Sequence, residues 1–105
     1  VRSVKQVLIA DDEPMLRQVL ADLFVEEGYG VLLAANGQEA LDILATNRPD
    51  LIVMDVMMPR LDGHQTYQAI RSRPPLSNIP VIMTSAATPS DEIDPSVSAF
   101  LPKPF

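Results

Sequence analysis

A chain of 105 residues, 47% of them hydrophobic, has the size and make-up of one globular domain. It contains no cysteine, which excludes disulfides, thiolate zinc sites and a cysteine nucleophile. The formal net charge of −6 opposes contact with nucleic-acid phosphates or anionic lipid, so neither direct nucleic-acid binding nor membrane association is expected. No apolar run approaches the ~20 residues that cross a bilayer. No basic-plus-apolar leader opens the chain, and the expected location is the cytoplasm.

In chain order, short apolar runs alternate with helix-period segments. "QVLIADD" reads as a strand over Gln6–Ala10. Residues 14–27 place Leu16, Leu20, Leu23 and Phe24 at helical spacing, with Pro14 where a first turn tolerates it and Gly28 as the stop. "YGVLLAA" is a second strand. "NGQEALDILATN" opens on a turn signal and continues as a short helix burying Ala40, Leu41 and Leu44. "DLIVMD" is a third strand, and "DGHQTYQAIRSR" a helix with Tyr67 and Ile70 toward the core. "NIPVIMTS" is a fourth strand and "SAFLPKPF" holds a short fifth. Most of the ten prolines fall after residue 73, so the C-terminal third is expected to be rich in turns.

Near-continuous apolar strands alternating with helices imply a parallel sheet covered on both faces. The expected fold is α/β, a doubly wound five-stranded sheet. In such sheets ligands bind outside the carboxyl ends of the strands, at the switch point of the winding. The first strand ends in Asp11, Asp12 and Glu13, the third in Asp55, the fourth in Thr84 and Ser85, and the fifth is followed by Lys103. The second strand delivers only Asn36 and lies outside the cluster. Each signal alone has an ordinary structural reading as a cap, a turn residue or a solvated charge. Asp55 is the exception, because a carboxylate closing an apolar run is costly unless something offsets it.

Three carboxylates at one edge repel one another unless they share a cation. All-oxygen ligation with few protein groups suits Mg²⁺, which retains waters and accepts phosphate oxygens. Lys103 adds an ammonium and Thr84 a hydroxyl. Phosphoryl transfer needs these elements for positioning and charge stabilisation, and an Asp can itself be the nucleophile. Asp55 is therefore the expected acceptor of a phosphoryl group.

The stretches "VLIADDE", "DLIVMDVMMPRLDG", "PVIMTSA" and "LPKPF" together resemble the receiver domain of two-component response regulators, over essentially the whole chain. The resemblance implies the flavodoxin-like receiver fold with strand order 2-1-3-4-5 and a single receiver domain over residues 1–105. It implies Asp55 as phosphoacceptor, Asp12 as a direct metal carboxylate, Asp11 as its partner through water, and the Met57 backbone carbonyl as a further metal ligand. Thr84 and Lys103 correspond to the residues that contact the phosphoryl group, and Phe100 to the aromatic switch. Pro59 and Gly63 match the turn after the acceptor, and Lys103–Pro104 a peptide bond that is often cis in the family. Mg²⁺ is the implied cofactor, with Mn²⁺ as a substitute. The implied partners are a histidine kinase or phosphotransfer protein and an output domain or downstream protein.

The sequence departs from the family pattern near its end. The "TPSDEIDPSVS" segment predicts a fourth helix that is short or missing. The chain stops at Phe105, where the family begins a fifth helix, so that helix is expected to be absent from this chain, which reads as truncated at its C-terminus. The apolar surface left open beside Phe100 and Leu101 favours a homodimer. Three other functions compete. An aspartyl-phosphate phosphatase of the haloacid dehalogenase type would place an acid/base Asp where Met57 stands. A flavodoxin-like cofactor binder would not place "ADDEP" in its phosphate loop. A receiver-like interaction module that works without phosphorylation would usually have lost one of the groups present here. The expected protein is no conventional enzyme, since it acts only on its own phosphoryl group.

Overall fold

The computed structural model describes residues 5–58, 60–85 and 99–102. They form strands β1 (Gln6–Ala10), β2 (Gly30–Ala34), β3 (Leu51–Asp55), β4 (Val81–Ser85) and β5 (Ala99–Pro102), and helices α1 (Pro14–Glu26), α2 (Gly37–Leu44) and α3 (Gly63–Arg71). A 3-10 turn over Pro74–Leu76 precedes β4. All strand pairs are parallel, in the order β2-β1-β3-β4-β5, as the sequence implies. The fold is a doubly wound, flavodoxin-like α/β sheet. The segment expected to hold a short or missing fourth helix, and the chain after β5, lie outside the described residues.

Alternation along the strands builds two cores, because successive side chains point to opposite faces. Leu8, Ala10, Ile52, Met54, Val81 and Met83 face α2 and α3, where Ala40, Leu41, Leu44, Tyr67 and Ile70 close over them. Val7, Ile9 and Val53 face α1 and meet Leu20 and Ala21. Burying each large apolar side chain contributes about 1.5–3 kcal/mol, so the central strands β1 and β3 anchor the fold. The edge strand β2 is less covered, and Leu33 is exposed. Helix α1 buries Leu20 and half-buries Leu16 and Phe24. Leu23 shares their spacing yet stays exposed with Met15 and Val19, one turn apart on the flank of the helix.

Local chemistry sets the helix ends. Pro14 occupies the first turn of α1, and Gly28 ends it at φ 92°, a left-handed value that suits glycine. Asn36 caps α2 by accepting from the Glu39 N–H. Asp62 and Gln65 form a reciprocal capping box at the start of α3. At its other end, the Arg71 guanidinium stacks on the Tyr67 ring and donates to the Ser77 carbonyl, tying α3 to the 3-10 turn.

Gly37 is where α2 meets the segment leading into α3. A Cβ there would press into Thr66 Oγ1 and the Leu61 carbonyl, two groups that cannot both retreat. Gly37→Ala is therefore expected to lower unfolding stability by roughly 1–3 kcal/mol, the usual cost of overpacking, as read from urea denaturation.

Candidate functional site

The winding reverses between β1 and β3, which lie side by side with Ala10 opposite Met54. The next residue on each strand is an aspartate, so Asp11 and Asp55 emerge together at the switch point. Asp11 is 1% exposed and Asp55 3%. Oxygens of Asp11, Asp12, Glu13 and Asp55 lie within 4.8 Å of one another. Two buried carboxylates at that separation repel by about 3 kcal/mol at an effective dielectric near 20.

The backbone holds this arrangement in place. The Asp11 N–H donates to the Ala34 carbonyl at 3.1 Å, extending the β1–β2 ladder past the strand. Asp11 Oδ1 accepts from the Glu13 N–H at 2.9 Å, which turns the chain toward α1. From within α1, Arg17 Nη1 donates to the Asp11 carbonyl at 2.6 Å. On the other side, Asp55 Oδ1 accepts from the Met57 N–H at 3.1 Å. The Gly63 N–H returns to the Val56 carbonyl at 2.8 Å, closing the loop that leaves β3. Gly63 packs so tightly that a Cβ there would lie 2.5 Å from the Asp55 carbonyl. Within this loop Arg60 takes φ 69°, a value uncommon outside glycine.

Thr84 stands directly across the ladder from Asp55, 1% exposed. Its hydroxyl is buried without a hydrogen-bond partner among the described residues. Such a group costs free energy unless a ligand or a change of state satisfies it. Two buried carboxylates, two exposed ones and a donor hydroxyl form an all-oxygen set without a soft ligand, which fits Mg²⁺.

The structure brings Asp11, Asp12, Asp55, Met57 and Thr84 to one strand-end cluster. Met57 is 69% exposed, and its N–H is committed to Asp55. Lys103, Pro59, Pro104 and the Phe100 side chain lie outside the described residues. The Phe100 backbone pairs with Met83 in β5. Glu13 joins the acidic cluster although the sequence reading placed no role on it; its position beside the two aspartates was the available signal. Arg17 was missed altogether, since its reach back to Asp11 depends on the turn between them.

A family model described as the response regulator receiver domain matches residues 7–105. The chain belongs to the receiver domain family of two-component response regulators. It is 39% identical over 104 residues to the response regulator MprA of Mycobacterium sp. (strain KMS), covering 95% of this chain and 44% of that protein. The chain thus spans less than half the length of that relative. Among solved structures it is similar to the chemotaxis response regulator CheY4 of Vibrio cholerae, with TM-score 0.91, 30% identity, and coverage of 98% of this chain and 89% of the other. It is also similar to the receiver domain of the sensor histidine kinase PA1611 of Pseudomonas aeruginosa, with TM-score 0.90, 27% identity, and coverage of 98% and 88%. That structure has a magnesium ion coordinated in its active-site cleft. No helix among the described residues is long and apolar enough to cross a membrane.

The buried Thr84 hydroxyl yields a direct stability prediction. Thr84→Val removes the oxygen and keeps the branched shape. It is expected to raise unfolding stability of the metal-free protein by about 1 kcal/mol, the lower end of the cost of an unsatisfied buried polar group. A urea melt of the two proteins side by side reads the difference.

Proposed function

We propose that residues 1–105 form a single receiver domain that acts as a phosphorylation switch, accepting one phosphoryl group on Asp55. The observation that carries this is the placement of Asp55. It is buried at the end of the central strand, opposite the Thr84 hydroxyl and within 4.8 Å of three further carboxylates. A histidine kinase or phosphotransfer protein is the donor. The bond from its phosphohistidine nitrogen to phosphorus breaks as a bond from an Asp55 carboxylate oxygen forms, and the imidazole leaves. The product is an acyl phosphate on Asp55.

Each side chain has a separate task. The Met57 N–H holds the rotation of the Asp55 carboxylate. Asp12 and Asp11, with Asp55 and the Met57 carbonyl, are the groups that would hold Mg²⁺, and Mn²⁺ would take the same oxygens. When bound, the ion neutralises the carboxylates and the oxygens of the incoming phosphoryl group. The Thr84 hydroxyl turns to donate to a phosphoryl oxygen, acquiring the partner it lacks among the described residues. Lys103 is assigned the pairing charge and Phe100 the switch that follows Thr84. The readout passes to an output domain or a downstream protein.

The exposed Met15, Val19 and Leu23 form a stripe along α1, which starts directly after the acidic turn, and this stripe offers the donor an apolar docking face. Self-association is assigned to the β5 edge of the sheet. The net charge of −6 disfavours direct contact with nucleic acid or membrane, and the compartment assigned to the domain is the cytoplasm. The domain turns over no separate substrate.

Incubation with acetyl phosphate and Mg²⁺, followed by intact-mass measurement, tests this reading. The parent protein is expected to gain one phosphoryl mass, Asp55→Asn none, and Asp12→Ala none at the same Mg²⁺ concentration. Phosphorylation of Asp55→Asn at the parent rate would refute the assignment. The lifetime of the phosphoryl group carries a second prediction. Met57 presents an apolar side chain beside Asp55 and has no group to activate water. The acyl phosphate is expected to be long-lived, and Met57→Glu to shorten its half-life by roughly a hundredfold, the low end of general-base assistance.

A further inference from the structure

Arginine is out of place at the start of a helix, where the positive end of the dipole disfavours a cation. Arg71 obeys that rule, in the last turn of α3. Arg17 breaks it. It is the fourth residue of α1, and helical side chains lean toward the N-terminus. Its guanidinium thereby reaches past the helix start to the Asp11 carbonyl, at 2.6 Å. The first turn of α1 holds no acidic residue of its own, and it is the carboxylates of Asp11, Asp12 and Glu13 just before it that make a cation tolerable there.

The carbonyl it grips belongs to a cluster residue. Asp11 is anchored at its N–H by Ala34, at Oδ1 by the Glu13 N–H and at its carbonyl by Arg17. The first two bonds fix where β1 ends and how the turn begins. The third closes the turn that carries Asp12 and Glu13 toward Asp55. Without it Glu13 stays tied through its N–H to Asp11 Oδ1, but the turn loses its tie to the helix, and the exposed Asp12 would be drawn away from the buried carboxylates that repel it.

Building on the proposed Mg²⁺ site, we propose that Arg17 is a positioning residue for that site: by gripping the Asp11 carbonyl it holds the β1–α1 turn closed against carboxylate repulsion, so that the metal-binding oxygens are already assembled. Arg17 touches neither the metal nor the phosphoryl group in this scheme. Its action has a sign that separates it from simple charge. A cation beside a metal site competes with the metal, so removing a guanidinium that acted by charge alone would tighten binding. Removing one that positions the ligands weakens it.

The experiment is a Mg²⁺ titration of the isotope-labelled 105-residue chain, followed by backbone amide shifts around Asp12 and Asp55, with a metal-free thermal melt of each variant. Arg17→Ala is expected to weaken apparent Mg²⁺ affinity by roughly tenfold, the low end for residues that support metal ligands from behind. Arg17→Met keeps much of the apolar stem and should weaken affinity equally, which covers the case in which the Ala variant fails to fold. Arg17→Lys retains the charge and a donor but not the fork, and should fall between them and the parent. Unchanged or tighter binding in folded Arg17→Ala or Arg17→Met, while the parent binds saturably, overturns the role of Arg17 and leaves the metal site standing. A lower melting temperature with unchanged affinity likewise reduces Arg17 to a structural tie. A parent protein without saturable Mg²⁺ shifts overturns the metal site itself, and this proposal with it.

Discussion

Repulsion among carboxylates at one end of the sheet is the constraint around which the rest of this domain is arranged. Four of them converge within 4.8 Å, two in the interior. Left to itself, such a group would spread into solvent. The frame prevents this because β1 and β3 are adjacent, parallel and buried on both faces, so their final residues have nowhere else to go. The apolar runs Val7–Ala10 and Ile52–Met54 stabilise the sheet and hold the charges together in the same contacts. The arrangement costs stability that a cation bound among these oxygens would return.

The loops follow from the same constraint. The loop leaving β3 folds back on the strand, with Gly63 packed against the Asp55 backbone and the capping box of Asp62 and Gln65 fixing where α3 begins. A larger residue at 63 would push α3 away from the acceptor. The turn leaving β1 is held at three points on Asp11. Rigid backbone on both sides keeps the repelling groups in register, which lowers the cost of assembling them around a ligand. Thr84 is held differently: its backbone is locked in β4, but its hydroxyl has no partner among the described residues.

Much of this was legible in the chain. Period-two alternation and apolar runs marked the strands, and β1 was placed at Gln6–Ala10 as found. The fourth strand was read as starting at residue 78 but begins at Val81, because the chain before it is a turn and Pro80 has no N–H to donate. Leu23 shares the helical period of Leu20, yet periodicity does not say how wide a face the sheet can cover, and Leu23 falls on the uncovered flank. The convergence of Asp11, Asp12, Asp55 and Thr84 was readable because a parallel sheet sends strand ends to one edge. Glu13 and Arg17 were harder. Glu13 reads as an ordinary helix start, and the contact of Arg17 with a carbonyl six residues earlier exists only once the turn is formed.

In the proposed switch, an event at Asp55 would have a short route across the sheet. Asp55 is registered with Thr84, and Thr84 with Leu101, in three successive strands. In the proposed switch the Thr84 hydroxyl moves toward the phosphoryl group, and the side chain it vacates space from lies one strand away from β5. Met83, beside it, is registered with Phe100. Among the described residues β5 pairs with β4 alone, and a strand paired on one side opens at lower cost than a central one. A coupling claim requires an element with two arrangements that both sites bias, and spatial sequence alone does not supply one. In the proposed switch that element would be the Thr84 side chain, whose hydroxyl has no partner among the described residues and would be bonded once Asp55 carries a phosphoryl group. The difference between those states, one hydrogen bond to a charged acceptor, is on the order of 1.5–3 kcal/mol. That is enough to shift a balanced equilibrium by tenfold or more, and small enough that removing the phosphoryl group returns the domain to its starting state.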